Sequence, residues 1–231
     1  MCGRFTLRAP ASVVAEQFAL FEVDPFTPRF NIAPSQPVAV VRSGADLSAR
    51  RKRHLAWIRW GLIPHWAKDA SVGNRMINAR AESVLEKPAY RSAFVQRRCL
   101  IVADGFYEWQ KAGSVKRPFF FHLRDDRPFA FAALWESWKA PDNARIESCT
   151  LLTTNPNPIV APIHDRMPVI LAPRDYDRWL DATLPKADSL LSLLGPYGGE
   201  ELVAYPVSPY VNSPPHDDAR CIERVAEQGA D

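Results

Sequence analysis

The sequence predicts a single α+β domain with a mainly antiparallel, strongly bent sheet. Three observations carry that reading. Short runs of apolar, β-branched and aromatic residues recur along the chain and read as strands. Twenty-one prolines punctuate it so often that long helices are excluded. No repeat or linker divides the 231 residues, and 47% hydrophobic content is enough to bury one substantial core.

In chain order, residues 11–22 place Val13, Val14, Gln17, Phe18, Leu20 and Phe21 at helical spacing, so a short amphipathic helix is expected. Pro25 and Pro28 end it and lead into the extended piece from Phe30 to Pro34. The β-branched run Pro37 to Arg42 reads as a strand, and the polar stretch 43–54, with its basic cluster Arg50 to Arg53, as a solvated hairpin loop. A strand resumes from Leu55 to Gly61, and the chain turns at Pro64. Residues 79–87 look helical, closed by Pro88, with Asn78 as a candidate N-cap. Strands follow over 98–103, 105–109, 118–123, 129–135 and 147–153, then short helices over 174–180 and 186–193. The domain is expected to span 1–213, with 214–231 a loosely held C-terminal tail.

Charge and cysteines narrow the function. The net charge is +3, yet residues 1–120 carry 19 Lys/Arg against 9 Asp/Glu and residues 121–231 carry 10 against 17. If the first half lines one face, that face attracts a polyanion; if the halves interleave, the fields cancel. Cys2, Cys99, Cys149 and Cys221 form no C-x-x-C pair, and the five histidines lack H-E-x-x-H spacing, so no metal site is expected. The chain has neither a membrane-length apolar run nor a signal-peptide pattern, which points to the cytoplasm, or to the nucleus of a eukaryote.

The chemistry centres on Met1-Cys2-Gly3-Arg4-Phe5. Removal of Met1 would leave Cys2 with a free α-amine beside its thiol, with reference pKa values of about 7.7–8.0 and about 8.5. Such an aminothiol condenses with an aldehyde to an imine and closes a thiazolidine ring. Read plainly, Cys2 is a frayed-terminus residue. Glu108, between Tyr107 and Trp109, is either a desolvated carboxylate able to exchange protons near neutrality or the solvent-facing member of an alternating strand. His164, at a loop-to-strand junction, is a proton shuttle or a structural histidine.

The segments MCGRF, FNIAPSQ from Phe30, WGLIPHWA from Trp60, INARAES from Ile77, RRCLIVADGFYEW from Arg97, HDRMPVIL from His164 and YPVSPYVN from Tyr205 come in one order. Together they resemble the SRAP family, the SOS-response-associated peptidase-like proteins, over nearly the whole domain. The resemblance implies a compact α+β unit around a bifurcated, barrel-like sheet with short flanking helices. It also implies covalent capture of abasic sites in single-stranded DNA by a monomer that needs no cofactor and no metal. Cys2, Asn78, Glu108 and His164 match the family's active-site set. Arg4, Trp66, Arg80 and Arg166 match positions that contact the DNA backbone or stack near the lesion. Two departures stand out: Ala67 replaces a second aromatic after Trp66, and Thr153-Thr154-Asn155-Pro156-Asn157 alters a loop motif. Two other readings stay open. One is a cysteine peptidase with Cys2 as nucleophile and His164 as base, oriented by Asn78 or Asp165. The other is a non-catalytic reader of modified DNA.

Overall fold

The structure, a computed structural model, describes residues 2–44, 53–113, 115–183 and 187–226. Its strands are β1 (Arg4–Leu7), β2 (Arg29–Ile32), β3 (Pro37–Ser43), β4 (Arg53–Trp60), β5 (Asn78–Arg80), β6 (Arg98–Ala103), β7 (Gly105–Ala112), β8 (Val115–Leu123), β9 (Phe129–Lys139), β10 (Arg145–Thr154), β11 (Met167–Pro168), β12 (Ile170–Leu171) and β13 (Leu202–Pro206). Three short α-helices, α1 (Ala11–Phe18), α2 (Pro88–Gln96) and α3 (Tyr176–Leu180), flank them.

The strands build two sheets. One runs β13-β8-β7-β1-β2 and is antiparallel throughout. The other closes on itself: β4, β3, β6, β9 and β10 pair in turn, and β10 returns to β4 in parallel. This five-stranded barrel forks at β10, where Ser148 and Cys149 pair with β4 and Leu151 to Thr153 pair with β5. Phe5 joins the two sheets, with its ring 5.1 Å from Trp60 and 5.8 Å from Phe131 in edge-on contacts. The barrel-like, bifurcated sheet is therefore as expected, and the β-branched and aromatic runs supply its core.

The helices are shorter than their sequence patterns. α1 buries Val14 and Phe18, then stops at Ala19, which adopts left-handed backbone angles (φ 51°). The helix expected over 79–87 is absent. Asn78–Arg80 is a strand held by β10, Ala81–Ser83 is a 3-10 turn, and Pro88 opens α2 instead of closing a helix. A proline at the first helical position loses no hydrogen bond, because that N–H has no partner in any helix. Asn78 is consequently not an N-cap. The second late helix is a 3-10 segment, Ala187–Leu193. Arg98 ties α2 and α3 to β6 by donating to the carbonyls of Phe94, Val95, Trp179 and Asp181, at 2.6–2.7 Å.

Of the expected tail 214–231, the described part, to residue 226, is tied to the fold at Asp217 and Cys221. Asp217 pairs with Arg29 and accepts from the Phe30 and Asn31 N–H groups, and Cys221 is fully buried. The basic residues Arg50 to Lys52 lie outside the described residues. Arg53 is spent internally, on the Phe18 carbonyl and on Asp177.

Topology also settles how the two charge halves sit. Around the barrel, three first-half strands (β4, β3 and β6) are flanked by the second-half strands β10 and β9. Arg8, Arg29, Arg42, Arg53 and Arg97 of the first half pair with Asp126, Asp217, Glu147, Asp177 and Glu136 of the second. The +10 balance is thus partly neutralised in place. Five exposed cations, Lys68, Arg75, Arg80, Lys87 and Arg91, remain in one stretch of chain.

Candidate active site and nucleic-acid face

Cys2 leads directly into β1, whose pairing with β7 sets Arg4 opposite Tyr107 and Phe5 opposite Phe106. Continuing that register places Gly3 across from Glu108, so the N-terminus and the carboxylate are neighbours by strand geometry. Asn78 enters from β5 and donates its side-chain amide to the Cys2 carbonyl at 2.8 Å. His164, on the loop before β11, brings Nε2 to 3.7 Å from Glu108 Oε2. The structure therefore gathers Cys2, Asn78, Glu108 and His164 from four distant segments.

Cys2 is fully buried, with Sγ 3.7 Å from the Arg4 carbonyl oxygen. Burial pushes its thiol well above the usual range, and the nearby negative charge of Glu108 adds to the shift. The reference thiol pKa used for a free terminus does not apply here. Chain ends fray only when nothing holds them, and Cys2 is seated in the core.

Glu108 is 1% exposed. Alternation alone would have put it in solvent, but β7 is covered on both faces. Phe106 stacks on Phe121 in the main core, while Tyr107 packs with Phe120, Val207, Val211 and Cys221 in a second cluster. Burial raises the Glu108 carboxyl from 4.5 to about 7, so both of its protonation states are populated at neutral pH.

Burial also holds His164 below its usual range. Two contacts at its Nδ1 imply different tautomers. The Arg166 N–H donates to it at 3.0 Å, whereas Asp165 Oδ1 lies 3.0 Å away and would need a proton there. The backbone donor decides, because its position is fixed while the Asp165 side chain is 89% exposed and solvated. Neutral His164 then carries its proton on Nε2, toward Glu108.

The expected DNA-facing residues divide. Trp66 is 56% exposed and borders a cavity of about 810 Å³ with Asn78, Arg80, Lys87 and Tyr90. Arg80 is exposed beside it. Arg4 is turned inward, donating to Asn31 Oδ1 and to the carbonyls of Val211 and Asn212. Arg166, 11% exposed, forms a two-point pair with Glu82 at 2.7 and 2.8 Å and donates to the Thr153 carbonyl. A larger groove of about 930 Å³, between β8, β13 and the 158–163 loop, contains none of the four gathered residues.

Sequence reasoning missed Lys87 and Tyr90 because Pro88 was read as closing a helix. It also missed Gln110, whose amide donates to the Pro162 carbonyl at 3.2 Å and ties the end of β7 to the His164 loop. No local pattern marks that contact.

Comparison with known proteins identifies the family and the fold. The chain is 42% identical over 228 residues to the abasic site processing protein YoqW of Bacillus subtilis, covering 96% of this chain and 99% of that one. It is 29% identical over 224 residues to the abasic site processing protein HMCES of Gallus gallus, covering 85% of this chain and 66% of its relative. Among solved structures, a Bordetella bronchiseptica protein superposes with a TM-score of 0.74 at 27% identity, over 90% of this chain and 100% of that one. A Bacteroides thetaiotaomicron protein shares the fold with a TM-score of 0.85 at 24% identity, over 97% of this chain and 100% of that one. Residues 1–214 match the family model described as SOS response associated peptidase (SRAP), and the chain belongs to that family.

Proposed function

We propose that this protein captures abasic sites in single-stranded DNA covalently, through the aminothiol that removal of Met1 leaves on Cys2. The observation that carries the reading is the buried Glu108 carboxyl, poised at about 7 beside the first residues of the chain. The names of the YoqW and HMCES relatives support the substrate class.

The steps balance without a cofactor. The ring-opened abasic sugar presents an aldehyde at C1′, and the Cys2 α-amine attacks it to give a carbinolamine. Glu108, as the acid, gives a proton to the departing hydroxyl, so water leaves and an imine forms. The Cys2 thiol then adds to the imine carbon. Its proton passes by way of Glu108 to the imine nitrogen, and a thiazolidine closes. His164, with Nε2–H toward Glu108, assists ring opening and the return of protons. Asn78 holds the Cys2 carbonyl, and its buried Oδ1, which accepts no hydrogen bond from any described residue, is placed to receive the amine or a sugar hydroxyl.

A thiol held in its neutral form suits this order, in which the amine reacts first. A cysteine peptidase needs the opposite shift, a thiol lowered toward thiolate. The strand itself is proposed to lie across the Trp66 cavity, with phosphates near Arg80 and Lys87. The protein is proposed to act as a monomer.

The test is incubation with an abasic single-stranded oligonucleotide followed by a denaturing gel. The expected result is a stable adduct for the Met1-free protein and none for a form that retains Met1. Cys2→Ser should yield only an imine that borohydride can trap. An undiminished stable adduct in the blocked form would overturn the reading.

A further inference from the structure

Trp66 stands on a tight turn. The Ala67 N–H donates to the Pro64 carbonyl at 2.9 Å, which makes His65 and Trp66 its two central residues. The turn is fastened on both sides. Before it, Gly61 (φ 127°) lies so close to Gly73 that a Cβ there would stand 2.5 Å from the Gly73 carbonyl oxygen, and the Ile63 N–H donates to Ser148 Oγ at 2.8 Å. After it, Trp138 Nε1 donates to the Ala67 carbonyl at 2.7 Å.

The third fastening comes from the turn itself. His65 Nδ1 lies 3.3 Å from Oε2 of Glu136, a β9 carboxylate that is 5% exposed. The same oxygen accepts from Arg97 at 2.9 Å, and Oε1 accepts from the Ser137 N–H at 3.1 Å. Arg97 therefore already balances the buried charge. A ring that is 59% exposed is not needed to neutralise Glu136, and its contact does something else: it anchors the tip of the turn to the barrel wall.

We propose that Glu136, acting through His65 and aided by Trp138, is a positioning residue that presets the Trp66 indole for stacking on a nucleobase beside the abasic site. The inference rests on the capture reading above. A loose turn beneath the indole loses its freedom when a base stacks on Trp66, whereas a turn already fastened does not. The single aromatic here, with Ala67 in the next position, makes that fixing more valuable.

The experiment uses an oligonucleotide with 2-aminopurine beside a tetrahydrofuran abasic analogue, which has no aldehyde and cannot crosslink. Quenching of the 2-aminopurine reports stacking, and its titration gives Kd. His65→Ala should lose most of the quenching and raise Kd about threefold to tenfold. The adduct-forming rate at saturating abasic DNA should stay within about twofold. His65→Gln, which retains a donor toward Glu136, should restore much of the quenching. The His65→Ala/Trp66→Ala double variant should bind no more weakly than Trp66→Ala alone, because one residue acts through the other. Unchanged quenching and Kd in His65→Ala, or a multiplied loss in the double variant, overturns the proposal, as does absence of quenching by the wild-type protein. Binding to the analogue is read independently of adduct formation, so failure of the capture reading would show separately.

Discussion

Two carboxylates four residues apart, Asp104 and Glu108, are each 1% exposed, yet their surroundings give them opposite work. Asp104 accepts from the Thr6 hydroxyl at 2.6 Å, from the Arg8 guanidinium at 3.1 Å and from the Arg8 and Ala9 N–H groups. It brackets the exit of β1 and fixes where the N-terminal strand ends. Glu108 sits where desolvation outweighs the groups that favour its charge, and its carboxyl rises to about 7. Burial alone therefore predicts neither role. Four donors hold Asp104 as a structural carboxylate, whereas Glu108, with its raised carboxyl, is the one proposed to trade protons.

The sharpest break of that comparison is Glu108→Gln. It keeps the shape and removes the proton transfer, so the single-turnover adduct rate should fall by ~10²–10⁴-fold. The wild-type rate should also follow a bell. Its acid side reflects loss of free amine, and its alkaline side reflects loss of the Glu108 proton above about 7. The variant should lose that alkaline limb. A wild-type rate in Glu108→Gln would remove this residue from the chemistry.

Next in size is Asp104→Ala, which strips four donors of their acceptor and leaves Arg8 without its buried partner. Urea denaturation should show a loss of about 3–5 kcal/mol. The adduct rate per folded molecule should change far less than in Glu108→Gln. A larger catalytic than structural effect would show that the two sites are not separable.

The stability of Glu108→Gln should move the other way. The folded carboxyl titrates near 7 against an ordinary 4.5, so between those values the folded state binds more protons than the unfolded one. Its contribution is most favourable below about pH 4.5 and is lost as pH rises to 7, where a charge must be held in the core. Relative to wild type, the variant should gain up to about 3 kcal/mol above pH 7 and almost nothing below pH 4.5. Equal stability at both ends of that window would mean that Glu108 carries no such burden.

The smallest expected effect compares the arginines. Arg80→Ala should weaken binding to all single strands alike and reduce the log–log salt slope by roughly 0.7. Arg166→Ala breaks a two-point pair with Glu82 and a bond to β10, so it should lower Tm and leave that slope nearly unchanged. The reverse pattern would show that the Glu82 pair opens for DNA.

Much of this arrangement was legible beforehand, and the failures have physical causes. Strand periodicity located most of the sheet because its strands are rich in β-branched and aromatic residues. The four gathered residues were reached through the order of motifs, since no local spacing joins Cys2 to His164. Alternation failed for Glu108 because it shares the face of Phe106, which the main core covers, while the C-terminal cluster covers the Tyr107 face, so neither face of β7 meets water there. Charge counting overstated a basic face because first-half arginines pair with second-half carboxylates, as in Arg42–Glu147, Arg53–Asp177 and Arg97–Glu136. Pro88 misled because proline starts helices as readily as it stops them.

The fork at β10 has a consequence in time. Cys2 is the first of the four residues to be synthesised, but Asn78 reaches its carbonyl only after β5 has docked beside β10, and His164 follows later still in the chain. Closing the barrel requires Arg59 to meet Ser148 in parallel, a contact of long sequence separation that forms slowly. A nascent or refolding chain with Met1 already removed thus carries a solvated aminothiol at ordinary reactivity until the barrel closes. During refolding a small aldehyde should label Cys2 faster than it labels the native protein, and equal labelling rates would show that the terminus is seated before the fork is built. A faster label in the unfolded chain would mean that folding narrows the aldehydes the proposed aminothiol can reach.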